Sequence, residues 1–413
     1  MTGFRPVILG YDAVSPLGTD LERQWARALA GESGLGRLTR FAPAPGFPVT
    51  VAGQVEEIDP APFPFLSPRQ LALWPSPIFK YSLLVVHRAL KRAGLEITPS
   101  LAPETAVTFS PAIGGLDAVL QADRTLRSTG RMPKPYANPN ACINMVAGKI
   151  AMLTGATGPN ITTVTACATG ATSLAVGALL IAAGQAKLVI CGGADFPLVE
   201  PIVAGFASMN GGYRDEAQED PARASRPFSV DRRGFVVSEG AAGLILASQD
   251  FARTHGLGYQ IELAGWAMNA DANHYVAPYQ PTVAACLARA IARAGLKPGD
   301  IQAVNAHAAS TRIGDLVEAR ALSAVFEGRP PPVSANKSQI GHAMGAASAI
   351  ETILALRGME ESFLAPTINY RPDPDIDLDC VSEGARPCLQ EHVLKNAFGF
   401  GGSNCCLVFR KVA

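Results

Sequence analysis

From residue 168 to 183 the chain is almost wholly small or aliphatic and contains no proline, which predicts a helix buried on most of its faces. A fold that holds such a helix has to be organised around it. The wider stretch 158–195 reads as strand, sharp turn, buried helix, strand. The β-branched run Ile161-Thr162-Thr163-Val164 predicts the first strand, and Leu188-Val189-Ile190-Cys191 predicts the second, ended by Gly192-Gly193. Cys167 falls at the turn, with its sulfur at the N-terminus of the apolar helix. Free amide N–H groups and the helix dipole at that position favour a thiolate and can stabilise an anion. A lone buried cysteine is more commonly an inert thiol, so this stretch by itself leaves a nucleophile and a structural thiol as equal readings.

At 413 residues the chain is longer than one typical core supports, so two lobes or two fused halves are expected. Hydrophobic residues make up 48% and charged residues 17%, which predicts a large core and a surface partly covered by a partner subunit. Lys plus Arg and Asp plus Glu both number 35, so net charge is zero and a nucleic-acid binder, normally basic, is not indicated. The eight cysteines form no CxxC pair and no metal-ligand spacing. With no secretory signal at the N-terminus, they predict reduced thiols in a cytoplasmic protein without a metal site. The apolar run over 175–193 is interrupted by Gln185 and Lys187 and is too short and broken for a membrane span.

Along the chain, Pro6-Val7-Ile8-Leu9-Gly10 predicts an opening strand and residues 21–30 an amphipathic helix. Residues 40–68, rich in Pro and Gly, predict irregular surface chain. A helix over 81–93 and a strand over 106–109 follow. Residues 124–140 are polar, carry Pro133, Pro135 and Pro139, and predict a loop; 144–153 predict a helix. After Asp195, the Gly-, Asn-, Asp- and Arg-rich passage 209–234 predicts a long functional loop. A strand over 243–247 precedes a polar boundary at 248–258. The pattern then restarts with strand 261–265, helix 282–294, strand 301–305, helices 315–326 and 346–356, and strands at 396–398 and 405–409. The resulting expectation is α/β layering in two halves, 1–250 carrying Cys167 and 251–413 carrying the bases described next, with the site between them.

Three turns in the second half are chemically loaded. Asn305-Ala306-His307-Ala308-Ala309-Ser310-Thr311 places His307 directly after a strand. Ser334-Ala335-Asn336-Lys337-Ser338-Gln339-Ile340-Gly341-His342 holds Lys337 and His342 in one small-residue loop. Asn396-Ala397-Phe398-Gly399-Phe400-Gly401-Gly402 is a glycine turn around an aromatic residue. Each has a plain alternative: a satisfied structural histidine, a solvated lysine, an ordinary turn. The chain has only six histidines, however, and two of them lie in such loops. With a helix-terminal cysteine they make the nucleophile-plus-two-bases set that acyl transfer needs.

The sequence resembles the elongating β-ketoacyl-acyl-carrier-protein synthases, the type II condensing enzymes. The markers run nearly from end to end: Ser15-Pro16-Leu17-Gly18, Ile113-Gly114-Gly115-Leu116, Asn144-Met145-Val146-Ala147-Gly148, Thr165-Ala166-Cys167, Ala224-Ser225-Arg226-Pro227-Phe228, Asp231-Arg232-Arg233-Gly234-Phe235 and the three turns. Each is weak alone; together and in order they are specific. The resemblance implies a thiolase-like fold, two related halves in a five-layered α/β/α/β/α core, normally a homodimer. It implies that Cys167 takes an acyl chain from a carrier-protein thioester, and that His307 and His342 bind the malonyl thioester carbonyl and promote loss of carbon dioxide. It also implies that Cys167 and Phe400 N–H groups form the oxyanion hole, that Lys337 supports the histidines, and that Asp315 and Glu318 form a buried acidic turn beneath them. Phe400 would be the gate; Ile113, Ala137, Thr311, Phe398 and Phe400 would contact substrate. No cofactor binds the chain itself; 4′-phosphopantetheine arrives on the acyl carrier protein. The Cys–His–His set differs from the Cys–His–Asn of chain-initiating synthases and the second cysteine of thiolases; Asn404 lies in the closing turn.

Three departures from that family pattern carry expectations. Ala309 stands where the family has a threonine whose hydroxyl holds the pantetheine arm. The basic helix that meets the carrier protein is replaced around residues 69–80 by a stretch with Leu73, Trp74, Pro75 and Pro77, which predicts a dedicated carrier protein or second subunit. Tyr136-Ala137 stands where, by the resemblance, the partner subunit contributes a bulky aromatic residue to the pocket end; an alanine there predicts longer or unusual chains. Fatty-acid elongation is thus the leading reading. A type II polyketide or polyene ketosynthase is the close alternative, with a heterodimeric chain-length partner in view. A non-catalytic chain-length subunit is disfavoured because Cys167, His307, Lys337 and His342 are all present.

Overall fold

The structure, a computed structural model, describes residues 5–58, 63–209, 211–215 and 219–412. Its strands are β1 (Pro6–Val14), β2 (Leu35–Arg37), β3 (Val51–Gly53), β4 (Thr105–Val107), β5 (Leu188–Asp195), β6 (Gly240–Ser248), β7 (Ile261–Ala270), β8 (Ala303–Asn305), β9 (Val333–Ser334), β10 (Phe363–Leu364), β11 (Arg386–Pro387), β12 (His392–Gly399) and β13 (Ser403–Lys411). Nine of them join in one sheet of order β4-β5-β6-β1-β7-β13-β12-β8-β9, while β2–β3 and β10–β11 form small ribbons.

The sheet repeats itself. In the first half β1 pairs antiparallel with β6, β6 antiparallel with β5, and β5 parallel with β4. In the second half β7, β13, β12 and β8 follow the same order with the same senses. The halves meet where Val7 and Ile8 of β1 pair with Glu262 and Ile261 of β7.

Layering follows from alternation along the strands. Successive side chains point to opposite faces, and here both faces are buried. On β1, Ile8 and Tyr11 enter a central core, while Val7 and Leu9 enter an outer one. On β13, Cys405, Leu407 and Phe409 face the centre and Cys406 and Val408 the other outer core. The central core surrounds two helices, Thr169–Ala182 and Ala347–Glu361. The outer cores are closed by helix Pro77–Arg92 on the first half and helix Gln280–Arg293 on the second. Helix, sheet, helix pair, sheet, helix: this is the five-layered arrangement that the resemblance implied.

Several local expectations are corrected. Residues 161–164 do not form a strand. Ile161 N–H donates to Val107 O at 2.9 Å and Asn160 makes one isolated bridge, but no ladder follows. Ile161 and Val164 are instead exposed. Gly192-Gly193 does not end β5, which continues to Asp195 against β6. Residues 124–129 are the end of helix Leu116–Thr129, and Ala137–Ala141 is a short helix, so only the intervening segment is loop. Within 40–68, Val49, Val51, Ala52 and Val55 are buried rather than on the surface. Residues 59–62 of that segment, and 210 and 216–218 of the long loop, lie outside the described residues.

Candidate active site

Cys167 sits in a single 3-10 turn, Ala166–Ala168, that runs directly into the helix Thr169–Ala182. Ala166 holds φ at 49°, a left-handed conformation that costs a non-glycine residue roughly 1–2 kcal/mol. The strain is held by neighbours: Ala168 N–H donates to Thr165 O at 3.1 Å, Thr165 N–H to Thr169 Oγ1 at 3.0 Å, and Ala171 N–H to Ser348 Oγ at 2.9 Å. The hairpin turn between β12 and β13 presses on this turn from the other side. A Cβ on Gly399 would lie 2.2 Å from Thr165 O, so only glycine fits there.

The thiol is buried, and its surroundings pull in two directions. Burial pushes the Cys167 thiol up to about 11, while the Lys337 ammonium and the backbone N–H groups of Phe400 and Cys167 favour the thiolate. The helix start by itself suggested a thiolate; in the closed site desolvation wins and the resting group is a thiol. The backbone N–H groups of Phe400 and Cys167 that favour the thiolate are the kind of donors that can receive a negative oxygen.

His307 follows β8 and His342 follows the short helix Lys337–Ile340. Their ring centroids lie 5.8 Å apart at an interplanar angle of 81°. Phe398 packs 5.4 Å from His307, and Phe235 5.5 Å from His342. Met344 N–H donates to His342 Nδ1 at 3.2 Å, which leaves the proton of a neutral His342 on Nε2. Burial, then Lys337, then the second histidine and Lys395 hold His307 well below the ordinary histidine range. Burial, Lys337 and Lys395 do the same for His342. Both rings are therefore neutral hydrogen-bonding groups at neutral pH.

The backbone that carries His307 is fixed by carboxylates. Glu318 accepts the N–H of His307 at 2.8 Å and of Ala308 at 2.7 Å. Asp315 accepts the N–H of Ala309 at 3.1 Å, Thr311 at 3.0 Å and Phe228 at 2.8 Å. Lys337 Nζ donates to His307 O at 2.6 Å and to Glu351 Oε1 at 2.5 Å. On the other side Asp195, at the end of β5, accepts the N–H groups of Ala112, Ile113, Gly114 and Gly345, joining the loop of Ile113 to that of His342.

The structure brings Cys167, His307, His342, Lys337, Phe398 and Phe400 to one place, with Asp315 and Glu318 beneath the His307 loop. Ile113 and Phe400 flank an apolar cluster containing Phe206, Phe235, Ala309 and Met344. Thr311 lies at the far end of the His307 loop, its N–H on Asp315. Ala137 is not in that cluster; it begins the short helix packed beside Leu116–Thr129. Sequence reasoning missed Glu351, Lys395 and Asp195. The available signal was a charge inside an apolar run: Glu351 is the one charged residue in 346–356, and Lys395 interrupts an apolar strand. Among the described residues, no group of three His, Cys, Asp or Glu side chains is placed to hold a metal ion.

Comparison with known proteins adds the following. The model of the beta-ketoacyl synthase N-terminal domain matches residues 5–252, and that of the C-terminal domain matches 261–371. The chain is 34% identical over 415 residues to a 3-oxoacyl-[acyl-carrier-protein] synthase 2 of Coxiella burnetii, covering 99% of each. It superimposes with a TM-score of 0.90 and 29% identity on the ishigamide ketosynthase/chain length factor, over 99% of both chains. A type II polyketide acyl-carrier protein in complex with its ketosynthase bound to the hexaketide gives a TM-score of 0.89 at 27% identity, again over 99% of both chains.

Proposed function

From its membership of the β-ketoacyl synthase family, to which the chain belongs with a thiolase-like fold, we propose that it condenses a Cys167-bound acyl chain with malonyl-acyl-carrier-protein, releasing carbon dioxide and a 3-oxoacyl-acyl-carrier-protein. The chain elongation of fatty-acid synthesis is the first setting for that reaction. The observation that carries this reading is the pair of buried imidazoles with ring centroids 5.8 Å apart, braced by the Lys337–Glu351 pair whose ammonium also favours the Cys167 thiolate.

In the first step, the Cys167 sulfur, once deprotonated, attacks the acyl thioester delivered on the carrier's 4′-phosphopantetheine. The oxyanion forms against the N–H groups of Cys167 and Phe400, and the carrier thiolate leaves. Removing one such donor typically costs ~10²–10³ in rate. In the second step, the malonyl thioester carbonyl accepts hydrogen bonds from His307 and from Nε2–H of His342. The carboxylate leaves as carbon dioxide and its electron pair forms the enolate. The enolate carbon attacks the acyl-Cys167 carbonyl, and collapse of the oxyanion expels the Cys167 thiolate. Neutral imidazoles suit this step, because protonating Nδ1 of His342 would set it against the N–H of Met344. Phe400, at the turn through Gly401 and Gly402 with φ of 82° and 74°, is the gate of the acyl site. Ile113, Phe398, Thr311 and Ala137 are assigned to substrate contact, and residues 1–250 and 251–413 to the two halves.

A type II polyketide or polyene pathway is the second reading, favoured by the likeness to the ishigamide and hexaketide ketosynthases. A dimer, with itself or with a chain-length partner, would cover exposed apolar side chains such as Met152, Ile161 and Val164. Intact mass after mixing with a panel of acyl-carrier-protein thioesters tests the proposal. A gain equal to the acyl group, absent in Cys167→Ala and followed by malonyl condensation, is the expected result. No gain from any carrier or small thioester would overturn it. The chains that load decide between the two pathways.

A further inference from the structure

Lys395 has no role in the steps above, yet it is fully buried on β12 directly behind the histidines. Its ammonium donates to Glu351 Oε2 at 2.7 Å, to Asn396 O at 2.7 Å and to Ala306 O at 3.4 Å, so three acceptors are arranged for its three protons. Each contact leads to His307. Ala306 is the residue before it. Asn396 Nδ2 donates at 2.8 Å to Glu318 Oε1, the oxygen that also receives His307 N–H. Glu351 gives its other oxygen, Oε1, to Lys337, which in turn donates to His307 O.

We propose that Lys395 is a positioning residue for the decarboxylating half of the reaction, locking Glu351 from one side so that Lys337 stays on the His307 carbonyl, and placing a second positive charge behind the His307–His342 pair. The inference rests on the condensing reading of the site. Glu351 is held by one ammonium on each oxygen and cannot turn without losing one. Without Lys395, Oε2 would be buried and unpaired, and the carboxylate would draw Lys337 from its place.

The charges around the two rings come from every packed element. Lys337 comes from the short helix before His342, Lys395 from β12, Glu351 from the 347–361 helix, Glu318 and Asp315 from the 312–325 helix, Asp195 from β5, and the Cys167 thiol from the nucleophile turn. Lys337 and Lys395 share one carboxylate, and both ammonium groups oppose protonation of both rings. The three hydrogen bonds of Lys395 go to Glu351, Asn396 and Ala306, all on the His307 side, whereas the Lys337 ammonium also favours the Cys167 thiolate. Loss of Lys395 should therefore separate decarboxylation from acyl loading.

The test measures decarboxylation of malonyl-acyl-carrier-protein across the acid range, beside acyl loading of Cys167 by intact mass. Lys395→Met and Lys395→Gln should load normally, decarboxylate roughly 10- to 100-fold more slowly, and lose activity at higher pH than the wild-type protein as acid is added. Lys395→Arg, which keeps the charge, should retain the wild-type acid limb. The inference is overturned if Met and Gln variants that load normally keep the wild-type rate and limb, or if loading and decarboxylation fall together with the limb unmoved, as a purely structural lysine would give. Wild-type protein that loads acyl groups but never decarboxylates malonyl thioester would overturn the condensing reading itself, and this inference with it.

Discussion

The Cys167 turn and the histidine centre lie together but are built of different material. At Cys167 nearly everything is backbone: a left-handed Ala166, a helix start, the N–H groups of Cys167 and Phe400, and Gly399, whose position leaves no room for a Cβ beside the Thr165 carbonyl. Around His307 and His342 nearly everything is side chain, with two lysines and two glutamates bonded in series. A backbone site loses its chemistry with one atom, the sulfur, and keeps its shape. A side-chain site can lose function and stability together at any link.

The largest expected effect follows from that contrast. Cys167→Ala should abolish acyl loading and overall condensation while the fold remains, since Ala168 is itself an alanine fully buried in the same turn. It should leave malonyl decarboxylation measurable, because the histidines are held by groups that do not involve the sulfur. Carbon dioxide release from malonyl-acyl-carrier-protein by the variant checks this; complete loss would mean that the two centres are not separable.

The reciprocal variant comes next. His307→Ala should lower decarboxylation by ~10²–10⁴, the usual contribution of a positioned acid–base group, and leave loading of Cys167 in place. In the wild-type protein both imidazoles are held below the ordinary value of 6.5 by burial and the two ammonium groups. A lowered value means that the neutral ring persists to more acid pH, so the acid limb of decarboxylation should fall below 6.5 and not at it. A limb above that value would sink the picture of two neutral rings.

Third is stability. Glu351→Gln leaves two buried ammonium groups with one neutral amide between them, and breaking a buried ion pair from one side costs about 3–5 kcal/mol. Urea unfolding should register a loss of that size. Thr165→Ala, which removes the 2.8 Å hydroxyl contact to Thr172 beside the nucleophile, should cost only ~1 kcal/mol, the ordinary net worth of one hydrogen bond. Equal losses would erase the distinction between the two centres.

The same contrast explains what was legible in the sequence. The turn of Cys167 was legible because an apolar helix is a local pattern, and the helix Thr169–Ala182 lies almost where its composition places it. The two halves could be found because each restarts a strand–helix alternation. Glu351 and Lys395 could not be assigned, because a buried charge needs a partner and the partners are 14 and 44 positions apart from Glu351. The run 161–164 misled for a related reason: β-branched residues favour extended backbone, but a strand also needs a neighbour, and among the described residues the bridge next to it is the isolated one of Asn160 with Val107. The polarity of 124–140 predicts a loop, yet an exposed helix is also polar on its outer face, and residues 124–129 close a helix capped by Gly130 with φ of 66°.

The smallest expected effect lies at the edge of the histidine centre. Ala309 N–H is taken by Asp315 at 3.1 Å, and its methyl belongs to the apolar cluster beside Phe235 and Phe400. Where the family carries a threonine hydroxyl for the pantetheine arm, this chain offers a methyl. The backbone there is already fixed, so restoring the hydroxyl changes one donor and little else. Ala309→Thr should tighten carrier-borne substrate by one hydrogen bond, about 0.5–1.5 kcal/mol, read as a roughly two- to tenfold lower KM with kcat and the acid limb unchanged. A change in kcat instead would mean that the added methyl or hydroxyl disturbs the aromatic cluster around Phe400. That outcome would place residue 309 in the gate, and it would extend the side-chain-built region of the site as far as the acyl pocket.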